Sequence, residues 1–191
     1  MGWYCYDIFT SPKEECDKCY TRALEKNGVK GQDKVLCSCM KGNVYYAVVE
    51  RTWEDDTPRE VWAAVALTYY NPKAKKADNF GIKEIDETMG PHECDMPEKY
   101  LNLLTETNSQ FAKEWREKCR AKIAHKKALR NVPIGKSIKF KSIYDMQSGV
   151  KCGDEVILTK RKSGRKKKAC WCSSCYRWNE NLIPVNFEIL V

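Results

Sequence analysis

Apolar and polar positions follow two different periods along this chain. Ser11-Pro12 reads as a helix N-cap with proline at the first helical position, Glu14 and Glu15 suit the positive helix end, and Asn27-Gly28 is a stop. The spacing predicts a helix over 12–26, with Cys16, Cys19, Tyr20, Ala23 and Leu24 as a stripe facing a sheet. Three β-rich runs follow at 35–40, 44–53 and 60–70, separated by Lys41-Gly42-Asn43 and by 54–58, which predicts an antiparallel meander. Asn71-Pro72 ends it and opens a polar loop of about 25 residues, whose Phe80, Ile82, Ile85 and Met89 argue for docking rather than disorder. A short helix is predicted over 97–104. A long one, capped by Asn108 or Ser109, runs to about Leu129 and buries Phe111, Trp115, Cys119 and Ile123. Beyond Pro133 the helical period stops, and four short β-like runs at 137–143, 155–160, 168–172 and 184–191 are separated by turns. The expected class is α+β. Residues 1–131 form a domain with a meander sheet and the long helix, and residues 132–191 form a small, strongly curved, SH3-like β domain.

With 191 residues, 42% of them hydrophobic, the chain can build one or two cores without staples. Apolar runs such as 61–67 fall far below the roughly 20 residues that span a bilayer, so no membrane partner is expected. The opening Met1-Gly2-Trp3-Tyr4-Cys5-Tyr6 lacks the basic start and apolar core of a secretory signal, and Tyr6 stands where myristoylation requires Ser or Thr; a cytoplasmic protein is expected. Eleven cysteines cannot all pair internally, and in a reducing compartment they serve as core filler, metal ligands or reactive thiols.

Charge changes the picture more. The net +8 hides two halves: residues 1–109 carry 14 basic against 19 acidic residues, or −5, and residues 110–191 carry 20 against 7, or +13. A half so basic seeks a polyanion or an acidic partner, and the protein as a whole is no acidic DNA mimic. The densest cluster is Lys160-Arg161-Lys162-Ser163-Gly164-Arg165-Lys166-Lys167-Lys168, in which Ser163-Gly164 sits where a hairpin would turn. Such a finger can lie along a nucleic-acid groove and displace counterions. Trp171, Tyr176 and Trp178 follow it as candidates for base stacking. On the long helix, Lys113, Arg116, Lys118, Arg120, Lys122, Lys126, Lys127 and Arg130 form a basic face, with Arg116, Arg120 and Lys127 chosen as further nucleic-acid ligands.

No cofactor is required by these features. Cys152, Cys170, Cys172 and Cys175 could hold a structural zinc, with reduced core cysteines as the competing account; Cys16 and Cys19 with Cys37 and Cys39 are a weaker set. The acidic loop carries Asp78, Glu84, Asp86, Glu87, Glu93 and Asp95, which suggests either a magnesium-dependent nuclease site or a protein-facing rim built on Phe80, Ile82, Glu84, Asp86 and Glu87. With only His92 and His125 available, a nucleophile and base pair is poorly supported.

Met1-Gly2-Trp3, the run Ala63-Ala64-Val65-Ala66-Leu67-Thr68-Tyr69-Tyr70-Asn71-Pro72, the loop Asn79-Phe80-Gly81-Ile82-Lys83-Glu84-Ile85-Asp86-Glu87-Thr88-Met89-Gly90-Pro91 and Trp115-Arg116-Glu117-Lys118-Cys119 carry a further signal. Together they resemble an uncharacterised domain family of small bacterial proteins carried by plasmids, prophages and conjugative elements. The resemblance spans about 120 residues and reaches only loosely into the basic tail. It brings no established activity and no catalytic residue. It implies a context of DNA handling or evasion of host defence. The expected function is non-enzymatic binding of nucleic acid or of a host nucleoprotein complex, with inhibition of a defence complex (anti-CRISPR or antirestriction) as its most concrete form. A magnesium-dependent nuclease using the 78–95 loop and a protein-only interaction module are the alternatives.

Overall fold

Ser11 does start a helix. Its hydroxyl accepts from the Glu14 amide while the Glu14 side chain accepts from the Ser11 amide, a reciprocal capping box that opens α1 (Pro12–Cys19). The structure, a computed structural model, describes residues 2–74, 78–89, 93–146, 149–163, 168–174, 176–183 and 187–190. A short strand, β1 (Tyr4–Tyr6), precedes α1. After it come β2 (Arg22–Lys26), β3 (Val29–Lys41), β4 (Val44–Trp53), β5 (Glu60–Tyr70) and β6 (Phe80–Glu84), then α2 (Glu98–Leu101) and α3 (Gln110–Asn131). The remaining strands are β7 (Ser137–Ser142), β8 (Glu155–Ser163), β9 (Lys168–Cys172), β10 (Arg177–Asn179) and β11 (Phe187–Ile189). The chain divides into two compact units, residues 1–120 and 121–191, with the division inside α3.

The first unit is built on a six-stranded antiparallel sheet in the order β1-β6-β5-β4-β3-β2. The expected meander is its centre. Several expectations for this unit are corrected. The helix over 12–26 ends at Cys19, and residues 22–26 are instead strand β2, paired with β3 from Arg22 opposite Asp33 to Lys26 opposite Val29. Asn27 and Gly28 both have positive φ, 52° and 79°, the geometry of a two-residue hairpin turn. Asn-Gly serves equally as helix stop and hairpin turn, and pairing with β3 decides between them.

The second correction concerns the polar loop, because residues 80–84 form a strand between β5 and β1. Phe80 and Ile82 point into the core with Tyr20, Tyr45, Trp62 and Ile8. Tyr20 and Tyr45 stack at 5.7 Å. Gly81 faces the other way, where a Cβ would stand 3.3 Å from both the Cys5 Sγ and the Trp3 ring. On α3, Ala112, Trp115 and Cys119 are buried, whereas Phe111, expected inside, is exposed.

The second unit holds a five-stranded antiparallel sheet in the order β10-β9-β8-β7-β11, curled like a half-barrel. The runs predicted at 137–143, 155–160 and 168–172 match β7, β8 and β9; β10 escaped prediction, and β11 falls within the last run, of which 184–186 and 191 lie outside the described residues. One face buries Phe140, Leu158, Trp171, Ile183 and Phe187, joined by Leu129 of α3. Phe140 and Trp171 meet edge to face at 5.2 Å. Among the described residues, no helix is long and apolar enough to cross a membrane.

Candidate nucleic-acid interface

Strand alternation sorts the side chains of the second unit. Inward go Ile138 and Phe140 of β7, Leu158 of β8 and Trp171 of β9; outward go the residues between them. The outward set is Ser137, Lys139 and Lys141 on β7, Glu155, Ile157, Thr159 and Arg161 on β8, Cys170 and Cys172 on β9, and Arg177 on β10. All are exposed except the half-buried Thr159 and Cys172 and the buried Cys170, and Ile157 at the centre is 63% exposed. Across the strands Lys139 lies opposite Ile157, Ser137 opposite Thr159, Thr159 opposite Cys172, and Cys172 opposite Arg177. The Ser137 and Thr159 hydroxyls are 2.8 Å apart. Charge is graded along this face. Near β11, Glu188, Lys141 and Glu155 alternate in one row, and Lys139 pairs with Glu155 at 2.5 Å. Beyond the Lys139 row the exposed charges of this face are Arg177, in the row of Thr159, and Arg161, one row nearer the β8–β9 hairpin; Lys162 is exposed on the opposite face.

Several residues chosen from sequence are placed elsewhere. Lys160 alternates with the outward Thr159 and Arg161 and is therefore turned inward, 4% exposed. Its ammonium donates to Leu129 O at 2.7 Å and Arg130 O at 3.0 Å, and forms an ion pair with Glu180 at 2.9 Å. It holds the carbonyl end of α3. Trp171 is fully buried and Trp178 packs half-buried on Phe187 with rings 5.4 Å apart, so neither offers a free face to a base. Tyr176 is exposed beside Trp178. Arg120 and Lys127 are exposed, but Arg116 is buried against Glu87. Lys168 opens β9; Arg165, Lys166 and Lys167 lie outside the described residues.

The proposed set of four cysteines is not assembled as read. The Cys170 and Cys172 sulfurs are 3.7 Å apart. Cys152, however, precedes Glu155 at the opposite end of β8 from Thr159, the residue paired with Cys172. Four strand residues alone separate Glu155 from Thr159 by about 13 Å, too far for one metal ion. Cys175 lies outside the described residues. Cys16 and Cys39 are divided by the first sheet. Ser38 reaches Asp17 of α1 at 2.6 Å, so its neighbours Cys37 and Cys39 point away from the α1 side where Cys16 is buried. Among the described residues no three His, Cys, Asp or Glu side chains converge as a metal site. His125 on α3 has a buried Nε2, and burial lowers its pKa against the raising effect of Glu188. His92 lies outside the described residues.

The acidic loop of the first unit is likewise dispersed. Glu87 is engaged by Arg116 and by the Ala63 amide, Asp95 pairs with Lys41 at 3.2 Å, and Glu84 is 4.0 Å from Arg22. Phe80 and Ile82 are core residues and are not available to a partner, while Glu84 and Asp86 are partly accessible. Asp86 accepts from the Tyr20 hydroxyl at 3.1 Å. Burial pushes its carboxyl up to about 6, and Glu84 adds to the rise. The folded protein thus binds this proton more tightly than the unfolded chain does, and the contribution to stability falls as pH rises from about 4 to about 6. Asp86→Asn, which keeps an acceptor for Tyr20, is expected to raise the unfolding free energy at pH 7.5 by about 1–3 kcal/mol and to flatten that slope. Urea unfolding at pH 4.5 and 7.5 checks this; a variant less stable at pH 7.5 contradicts it.

Residues 106–180 match the model of a family described as a domain of unknown function, DUF6927. The matched stretch runs from the loop before α3 through β10 and excludes the 79–91 motif. No curated protein and no solved structure matches the chain.

Proposed function

We propose that residues 121–191 bind nucleic acid or a nucleoprotein, and that the protein acts by binding rather than by catalysis. One observation carries this: a unit of 16 basic against 5 acidic residues, net +11, leaves most of one face of its sheet exposed with Lys139, Arg161 and Arg177 on it. Binding through phosphates needs no cofactor. The engagement of Glu87 by Arg116 and of Asp95 by Lys41 argues against a magnesium centre in the acidic loop. The motifs quoted above add a setting: an accessory protein of a bacterial mobile element, working in the cytoplasm. The most specific form of the proposal is obstruction of a host defence complex of the CRISPR or restriction type, with the acidic first unit turned to the protein component.

Filter binding of labelled DNA and RNA over a salt series tests the electrostatic premise. The logarithm of affinity is expected to fall linearly with the logarithm of salt, with a slope of about −0.9 per phosphate contacted on a B-form duplex. Absence of binding at low salt, or a flat response, overturns the proposal. Magnesium-dependent cleavage that is lost in Asp86→Asn would replace it with a nuclease. Capture of an acidic protein after nuclease treatment, with no nucleic-acid affinity, would replace it with a protein-only module.

A further inference from the structure

Resting on that proposal, we infer that the exposed face of the second sheet, continued by the β8–β9 ribbon, takes double-stranded B-form DNA and grips it through its phosphates, without base stacking. The face is largely uncovered over β7 and β8, although the outward Cys170 of β9 is buried. Every outward residue of β7 is exposed, Ile157 and Arg161 of β8 are exposed, and so is Arg177 of β10, while the inward positions Phe140, Leu158 and Trp171 are buried. Its chemistry complements a polyanion in two ways. Lys139, Arg161 and Arg177 supply cations, and the Ser137–Thr159 hydroxyl pair stands between Lys139 and Arg161 in the register. Cations and hydroxyls are the side chains that contact phosphate and sugar. The ion pair of Lys139 with Glu155 is exposed on both sides and therefore weak, so a phosphate can displace it.

The same face argues against the other nucleic acids. Sequence-tolerant single-strand binding draws on aromatic side chains that stack successive bases. Among the described residues no aromatic side chain lies in the outward rows: Trp171 and Trp178 alternate inward, and Tyr176 packs beside Trp178. Duplex DNA, with its regular phosphate array, needs no such platform. The ribbon then separates DNA from RNA. β8 and β9 remain paired from Thr159 opposite Cys172 to Ser163 opposite Lys168 and carry Arg161 and Lys162 exposed on opposite faces. A two-stranded ribbon enters the roughly 12 Å major groove of B-DNA, whereas the deep, narrow major groove of A-form RNA excludes it.

The test compares a 25-base-pair DNA duplex, one of its single strands and the RNA duplex of the same sequence, each titrated with the full-length protein over a salt series. The DNA duplex is expected to bind about 10-fold or more tighter than either alternative at equal salt. Lys139→Gln, Arg161→Gln and Arg177→Gln together are expected to weaken duplex binding and to reduce the magnitude of the salt slope by close to 3, at about 0.9 for each contact. Arg161→Gln alone, which keeps the protein's fold in hand should the triple variant lose it, is expected to reduce it by about 0.9. Equal or tighter binding of the single strand or of the RNA duplex overturns the inference. So does an undiminished slope in a folded variant, and if replacing Arg165, Lys166 and Lys167 then abolishes binding, nucleic-acid binding survives and only its address on the face is lost. No binding of any of the three by the wild-type protein defeats the underlying proposal as well.

Discussion

Arg116→Met is expected to lower the unfolding free energy of the first unit by about 3–5 kcal/mol, although Arg116 sits in a basic helix whose other cations are mostly solvent-facing. Its guanidinium meets both Glu87 oxygens at 2.6 Å and donates a third bond to Thr105 O at 2.5 Å, while Glu87 Oε1 also accepts from the Ala63 amide at 3.1 Å. One ion pair thus connects α3, the 3₁₀ turn at Glu87–Met89 and β5. Glu87 is 1% exposed, so removing the guanidinium leaves a carboxylate in a site that water does not reach. That penalty, rather than the attraction of the pair, sets the size of the effect. Glu87→Gln combined with Arg116→Met should therefore recover most of the loss, because glutamine keeps an acceptor for Ala63 and no buried charge remains. Urea unfolding of the two single variants and the double variant measures the coupling. A cost below about 1 kcal/mol for Arg116→Met would show the pair to be solvated and the assignment wrong.

This pair also marks what local pattern can deliver. Glu87 and Arg116 are 29 positions apart, one in a stretch that scans as polar loop, the other in a helix whose charges scan as a solvated face. Only tertiary contact selects Arg116 from among its basic neighbours. Where periodicity is strong and local, legibility was high. β4 and β5 have the ends expected of them, and β7, β8 and β9 fall on their predicted runs, because stretches rich in β-branched and aromatic residues are bounded there by clear turn signals. Phe80-Gly81-Ile82-Lys83-Glu84 failed as a strand signal because it is short, contains glycine and lies among acidic residues, and its burial between β1 and β5 comes from partners distant in sequence. The basic finger failed differently. Its charges were legible, but their faces were not, since a run of lysine and arginine erases the polar–apolar alternation that reports which way each side chain points.

Lys160→Met and Arg161→Gln, one residue apart, are expected to have opposite consequences. Register sends Arg161 outward opposite Cys170 and Lys160 inward opposite Trp171, where its ammonium lies 5.9 Å from the indole centre. Loss of the ammonium removes the donor to Leu129 O and Arg130 O and strands Glu180, whose carboxylate is mostly buried. The expected cost is about 3 kcal/mol or more, read as a lower denaturation midpoint, because methionine fills the stem's volume but leaves a carboxylate unpaired. The salt slope for duplex binding should be unchanged in the folded Lys160→Met protein, since a lysine committed to the helix end contacts no phosphate. Arg161→Gln should do the reverse, shifting stability by no more than about 0.5 kcal/mol, as surface changes do, while reducing the slope. If Lys160→Met instead reduced the slope and left the midpoint in place, the inward orientation of Lys160 would be refuted, and the cationic face would have to be redrawn one residue along the strand.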